Sequence, residues 1–131
     1  MEEPIWIDKP EVLIVHAMQL AEHGGSDGLR DETLLDSALA KPRNVFAYAD
    51  SVSLPRLAAS YAFGIARNHA FIDGNKRTAF MTACVFLRRN GFRIKPRHDE
   101  AVSLMVELAR GIVRSSEGVA EWFRNRSESV G

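Results

Sequence analysis

Residues 69–91 read HAFIDGNKRTAFMTACVFLRRNG, a polar turn running straight into an apolar stretch. From Asn75 or Lys76 to Asn90 the composition favours helix, and Ala79, Phe80, Met81, Ala83, Cys84, Val85, Phe86 and Leu87 cover nearly its whole circumference. A helix apolar all round belongs in the middle of a bundle, so this segment is predicted to be the hub of the fold. Arg88 and Arg89 suit the negative C-terminal end of the helix, and Gly91 can take the left-handed conformation that stops it.

Toward the N-terminus, Ser53 reads as a cap, Pro55 fits a first turn, and Leu54, Leu57, Ala58, Tyr61 and Ile65 recur at helical spacing. Asp31 caps an earlier helix carrying Leu34, Leu35, Ala38 and Leu39, which is expected to stop near Pro42. Between Pro42 and Leu54 the weak alternation of Val45, Phe46 and Tyr48 suggests a loop or short hairpin. Asp8 and Glu11 resemble a capping box, starting a first helix with Val12, Leu13, Val15, Met18 and Leu20 that ends at Gly24 and Gly25. Toward the C-terminus, Phe92 to Lys95 suggests a short extended piece. Asp99 or His98 opens a fifth helix with Val102, Leu104, Met105 and Leu108 inward. Ser116 opens a short sixth that buries Val119 and Trp122 or Phe123. The tail after Arg126 is expected to fray, and Trp6 and Trp122 to pack near the two chain ends. The expected architecture is an all-α bundle of about six helices around a central apolar helix, with a short β-hairpin or extended piece.

The chain of 131 residues suits one domain, 1–131, with an ordered core over about 5–125. Seventeen Lys and Arg balance seventeen Asp and Glu, so no long-range field of one sign draws the molecule onto nucleic acid or an anionic membrane. Any anion site must be local. Cys84, the single cysteine, cannot form an internal disulfide and reads as a small core residue. The opening Met1-Glu2-Glu3 lacks the basic start of a secretory signal, and Ala79 to Leu87 is far short of a membrane span, so the expected location is the cytoplasm.

His69, Asp73, Gly74, Asn75, Lys76 and Arg77 place a base, a carboxylate, an amide and two cations within nine positions at a helix start. The first turn of a helix offers unpaired N–H groups and the positive end of the macrodipole, which favour a phosphate. Gly74 lets the backbone approach that anion, and Lys76 and Arg77 add charge. A basic pair at a helix start works against the macrodipole, and that local cost points to a bound anion. Asp73 is a hard oxygen ligand suited to one position of a magnesium ion that leans otherwise on water and substrate phosphates, so ATP with Mg2+ is the leading ligand. An imidazole can take a proton from an attacking hydroxyl at cellular pH, which makes His69 the candidate general base. Phe71 and Ile72 are expected to plug the loop into the core so that His69 and Asp73 face outward together. His16 and His23 are seven apart and His98 stands alone beside Asp99, so no structural zinc site is expected. Arg67 either reaches a phosphate or lies on a solvated face.

These residues resemble the signature of the Fic/Doc family, His-x-Phe-x-Asp/Glu-Gly-Asn followed by a basic region, and match it at every position through Asn75. Ala66-Arg67-Asn68 upstream, and Phe86-Leu87-Arg88-Arg89-Asn90-Gly91 downstream, look specifically like the Doc branch of bacterial toxin–antitoxin pairs. The likeness covers about residues 5 to 125 in layout and is strong over 60 to 92. Two positions depart from AMP-transferring members. Lys76 stands where those members carry a second glycine in the phosphate cradle, and Phe80 where they carry a further arginine.

The Doc resemblance implies a toxin that transfers the γ-phosphate of ATP to a protein Thr or Ser hydroxyl on elongation factor Tu, arresting translation. It implies His69 as base, Asp73 as magnesium ligand, and Asn75, Lys76 and Arg77, beside Gly74, as phosphate-binding groups. It also implies a cognate antitoxin that inhibits in trans by docking a helix into a groove. The Ser/Thr…Glu-Gly/Asn inhibitory motif of some Fic proteins is not found: near Glu117-Gly118 the required position is Val113. AMP transfer to a protein hydroxyl and a catalytically inactive antitoxin-binding module are the alternative readings.

Overall fold

The computed structural model describes residues 1–94, 103–104, 107 and 116–129. Helix α1 spans Lys9–His23, α2 Glu32–Tyr48, α3 Leu54–Asn68, α4 Asn75–Arg89 and α5 Ser116–Arg126; strand β1 is Phe92–Ile94 and β2 Ser127–Ser129. These five named helices are those of the described residues. The expected fifth helix from His98 or Asp99 lies largely outside them, although residues 103, 104 and 107 are helical and Leu104 is buried.

Local chemistry sets the starts of the first three helices. The Asp8 carboxylate accepts the Glu11 N–H at 3.4 Å, Asp31 accepts the Leu34 N–H at 3.2 Å, and the Ser53 hydroxyl accepts the Arg56 N–H at 3.3 Å. Each bond satisfies one of the donors a helix start leaves unpaired. Gly24, at φ 80°, ends α1 with its N–H on the Leu20 carbonyl.

Three expectations are corrected. Helix α2 does not stop at Pro42 but continues to Tyr48, so residues 42–48 are neither loop nor hairpin. Leu35, Ala38, Leu39, Pro42, Val45 and Phe46 lie on one helical face, and their burial or packing against the core outweighs the backbone hydrogen bond that proline removes. The hub is α3, not α4. Helix α3 buries Leu57, Ala58, Ala59, Ser60, Tyr61, Ala62, Gly64, Ile65 and Ala66 and packs against α2, α4 and α5. Helix α4 lies on α3, α1 and β1, with Met81 exposed. Lastly, the chain after Arg126 does not fray: Ser127, Glu128 and Ser129 pair antiparallel with Ile94, Arg93 and Phe92, and Arg93 forms a 2.5 Å ion pair with Glu128. The extended piece expected at Phe92 is therefore one half of a two-stranded sheet.

The N-terminal segment is clasped across the bundle. The Asn90 side chain accepts the Ile5 N–H at 2.8 Å and donates to the Ile5 carbonyl at 2.9 Å. The Tyr61 hydroxyl accepts the Ile7 N–H at 3.0 Å and donates to the Ile7 carbonyl at 3.1 Å. Trp6, between them, packs edge-on to Phe46 and stacks on Phe86. This clasp seats α1 against α4, which is where the polar turn lies. No helix among the described residues is long and apolar enough to cross a membrane.

Candidate active site at the start of helix α4

The polar turn links the end of α3 to the start of α4 and is fixed from three sides. His69 ends α3 in the left-handed conformation, φ 50° and ψ 48°, the one non-glycine residue with positive φ among those described. Its carbonyl accepts the Arg30 Nε–H at 2.9 Å, and Arg30 also donates to the Asn68 carbonyl at 3.4 Å. The loop before α2 then pairs with the turn: the Ala70 carbonyl accepts N–H groups from Arg30 and Asp31, and the Ile72 N–H donates to the Gly28 carbonyl at 3.0 Å. From inside, the Asn75 amide accepts the Phe71 N–H at 3.0 Å and donates to the Phe71 carbonyl at 2.9 Å.

These bonds decide where the expected site residues stand. His69, Asp73, Lys76 and Arg77 are exposed along one short path, as a surface site requires. Gly74 caps α4 at φ 77°, a conformation in which a side chain would be strained. Its N–H donates to the Asp73 carboxylate at 2.8 Å. Asn75 is buried and its amide is spent on Phe71, so what it offers the surface is its backbone N–H. The plug is Phe71 alone: Phe71 is buried, whereas Ile72 is 56% exposed. The Leu29–Phe71 bridge puts alternate residues on opposite sides, so Ile72 turns outward over Gly28.

Helix α4 has no side-chain cap, and its first bond runs from the Thr78 N–H to the Gly74 carbonyl at 3.0 Å. The N–H groups of Asn75, Lys76 and Arg77 therefore have no acceptor among the described residues. Neither do the Lys76 and Arg77 side chains. Three N–H groups at a helix start beside two cationic side chains are groups to which an anion can bind. The Asp73 carboxylate beside them accepts the Gly74 and Ser26 N–H groups, the latter at 3.3 Å, which leaves lone pairs for a cation. This donor set fits a magnesium ion that draws its other ligands from phosphate and water.

Two contributors were not foreseen. Arg30 caps the strained end of α3 from another loop. His16, set aside as a metal ligand, is buried under the turn and bonds the Asp73 carbonyl. Its helical spacing with Val12, Val15 and Gln19 marks it as an inward polar residue, but no local signal names a partner 57 residues away. Arg67 is exposed, its guanidinium 5.6 Å from the Phe63 ring centre.

The family model of the Fic/DOC family matches residues 6–87. Two curated proteins resemble the chain over most of its length. "Protein kinase doc" of Escherichia phage P1 is 32% identical over 118 residues, covering 90% of this chain and 92% of that protein. "Toxin Doc" of Mycolicibacterium smegmatis is 38% identical over 109 residues, covering 79% of this chain and 80% of that protein.

Proposed function

The chain belongs to the Fic/Doc family, and from that premise we propose that it is a toxin of a toxin–antitoxin pair that transfers the γ-phosphate of ATP to a protein hydroxyl. The expected acceptor is a Thr or Ser of elongation factor Tu, and the consequence is arrested translation. The observation that carries this reading is the start of α4, without a side-chain cap and directly after His69 and Asp73, where the first backbone donors and the Lys76 and Arg77 side chains have no partner among the described residues.

In the proposed reaction His69 takes the proton of the acceptor hydroxyl as its oxygen bonds to the γ-phosphorus. The bond from that phosphorus to the β–γ bridging oxygen breaks, and ADP leaves. The N–H groups of Asn75, Lys76 and Arg77, with the two cationic side chains, hold phosphate oxygens and offset the developing charge. Asp73 would hold Mg2+, which supplies further neutralisation of the phosphates when bound. Positioning and charge stabilisation provide most of the rate in such transfers, and the hydrogen bonds that fix this turn serve both.

Phosphoryl rather than AMP transfer is favoured by Phe80. Its ring lies edge-on to Trp122 at 5.8 Å and stacked on Phe123 at 6.1 Å, which suits a packing residue and leaves no phosphate-binding arginine at that position. A cognate antitoxin is the expected partner, inhibiting in trans from the cytoplasm both proteins would share.

The test is to incubate the purified chain with a bacterial lysate and ATP labelled at the α- or the γ-phosphate. Label is expected from γ, on elongation factor Tu, and not from a His69→Ala variant. Label from α means AMP transfer. Labelling that survives His69→Ala would sink the assignment of the base.

A further inference from the structure

We propose that His16, outside the signature motif, is a positioning residue that keeps the start of α4 open for phosphate and fixes Asp73 for its cation. The proposal rests on the reading of that helix start as the nucleotide-phosphate site. His16 is 3% exposed, and its Nε2 lies 2.8 Å from the Asp73 carbonyl oxygen. A carbonyl oxygen only accepts, so Nε2 carries the proton and donates it. The ring is held in that orientation by stacking on the buried Phe71, with centroids 3.8 Å apart and planes 11° apart.

The bond matters because of which carbonyl it takes. In a helix continued one residue further, the Asp73 carbonyl would accept the Arg77 N–H, four residues on. Here the first helical bond is one step later, from Thr78 to Gly74. Gly74 in its left-handed conformation turns the chain away from the helix axis, and His16 holds the Asp73 carbonyl inward. The Arg77 N–H is thereby left for a ligand. Without the imidazole donor, the part-buried carbonyl would lose its partner, and the Asp73 peptide would gain by rotating toward the N–H groups of α4 that have no acceptor among the described residues. Such self-capping competes with phosphate and swings the Asp73 carboxylate off the Gly25–Ser26 loop, where Ser26 N–H now holds it. Other α1 contacts at the turn do not supply this: Leu20 only lies beside Gly74.

Four proteins decide the matter: the wild type, His16→Phe, which keeps a stacking ring without the donor, His16→Gln, which restores an N–H at similar reach, and His69→Ala. In the γ-phosphate labelling assay, His16→Phe should raise the magnesium and ATP concentrations for half-maximal rate by about ten- to a hundredfold, the usual range for a lost support of a ligand. His16→Gln should restore both, and His69→Ala should abolish the rate while leaving Mg-ATP binding intact. Wild-type half-saturation in His16→Phe, or His16→Gln as impaired as His16→Phe, overturns the proposal. Should His16→Phe fail to fold, the wild type is read by nuclear magnetic resonance. A slowly exchanging His16 Nε2 proton that shifts on adding Mg-ATP supports the proposal, and one exchanging as in free imidazole, or unmoved by Mg-ATP, overturns it. If the wild type transfers no label, the reading of function fails, and calorimetric Mg-ATP binding by the same proteins still decides His16; no binding by the wild type overturns both.

Discussion

His69, the proposed base, stands in a backbone conformation that an L-residue adopts at a cost of about 1 kcal/mol or more, at φ 50° with its carbonyl pinned by Arg30. After glycine, asparagine is the residue that takes that conformation most readily at a helix end, and it offers no comparable base. His69→Asn is therefore expected to lower the transfer rate by about a hundredfold or more while raising the thermal midpoint by a few degrees, for about 1 kcal/mol. Calorimetry beside the labelling assay checks both, and a lower midpoint would show that the imidazole itself contributes to folding. Asn75 is the opposite case, a motif residue whose side chain faces inward. Asn75→Asp keeps the shape but sets a carboxylate oxygen against the Phe71 carbonyl, where the amide now donates at 2.9 Å. The expected loss is about 2 kcal/mol in urea unfolding. Reading the motif as letters identifies the polar residues of the turn. It does not say that Asn75 satisfies Phe71 while Lys76 and Arg77 face solvent, because that division follows from Phe71 being buried.

Helix boundaries were legible where the signal is local, as at Asp8, Asp31 and Ser53, each bonded to an N–H three residues on. They were misread where a distant surface decides, as at Pro42, buried on the inner face of α2. The choice of hub failed for a related reason. Large apolar side chains all round α4 suggest burial, but a helix with neighbours on several sides also needs small residues that let their backbones approach. Helix α3 has Ala58, Ala59, Ala62, Gly64 and Ala66. A Cβ built at Gly64 would meet Ala38 of α2 at 3.5 Å, ordinary contact, at a helical φ. Gly64→Ala is thus expected to stabilise the fold by about 0.5–1 kcal/mol through helix propensity, whereas Gly64→Leu should cost about 1–3 kcal/mol by overpacking. Denaturant midpoints of the two variants test this, and destabilisation by alanine would mean that the added methyl disturbs the packing of α2 on α3 by more than helix propensity contributes.

Across the whole molecule, the chain ends are held by contacts far apart in sequence, Ile5 with Asn90, Ile7 with Tyr61 and Phe92 with Ser129, which is why a fraying tail was expected and a paired strand was found. The same burial gives stability a direction with pH. Burial pushes the Cys84 thiol up to about 12 and raises the Tyr61 hydroxyl above its ordinary range. Lys9 is raised too, by hydrogen bonds to Asp36 and Glu32. All three are groups whose folded value exceeds the unfolded one, so the folded state binds more protons than the unfolded chain on the alkaline side. Their contributions are complete below the unfolded values and are lost as pH rises through the folded ones. Cys84 begins first, since a free thiol ionises near 9. Unfolding free energy should therefore hold level to about pH 8.5 and then fall, the thiol accounting for at most about 1.4 kcal/mol per pH unit. Cys84→Ala should be less stable at neutral pH, by about 1 kcal/mol for the lost packing, yet show a shallower fall between about pH 9 and 10.5. Urea titrations of both proteins across that range measure the two slopes, and parallel profiles would mean that the thiol ionises without leaving the folded state.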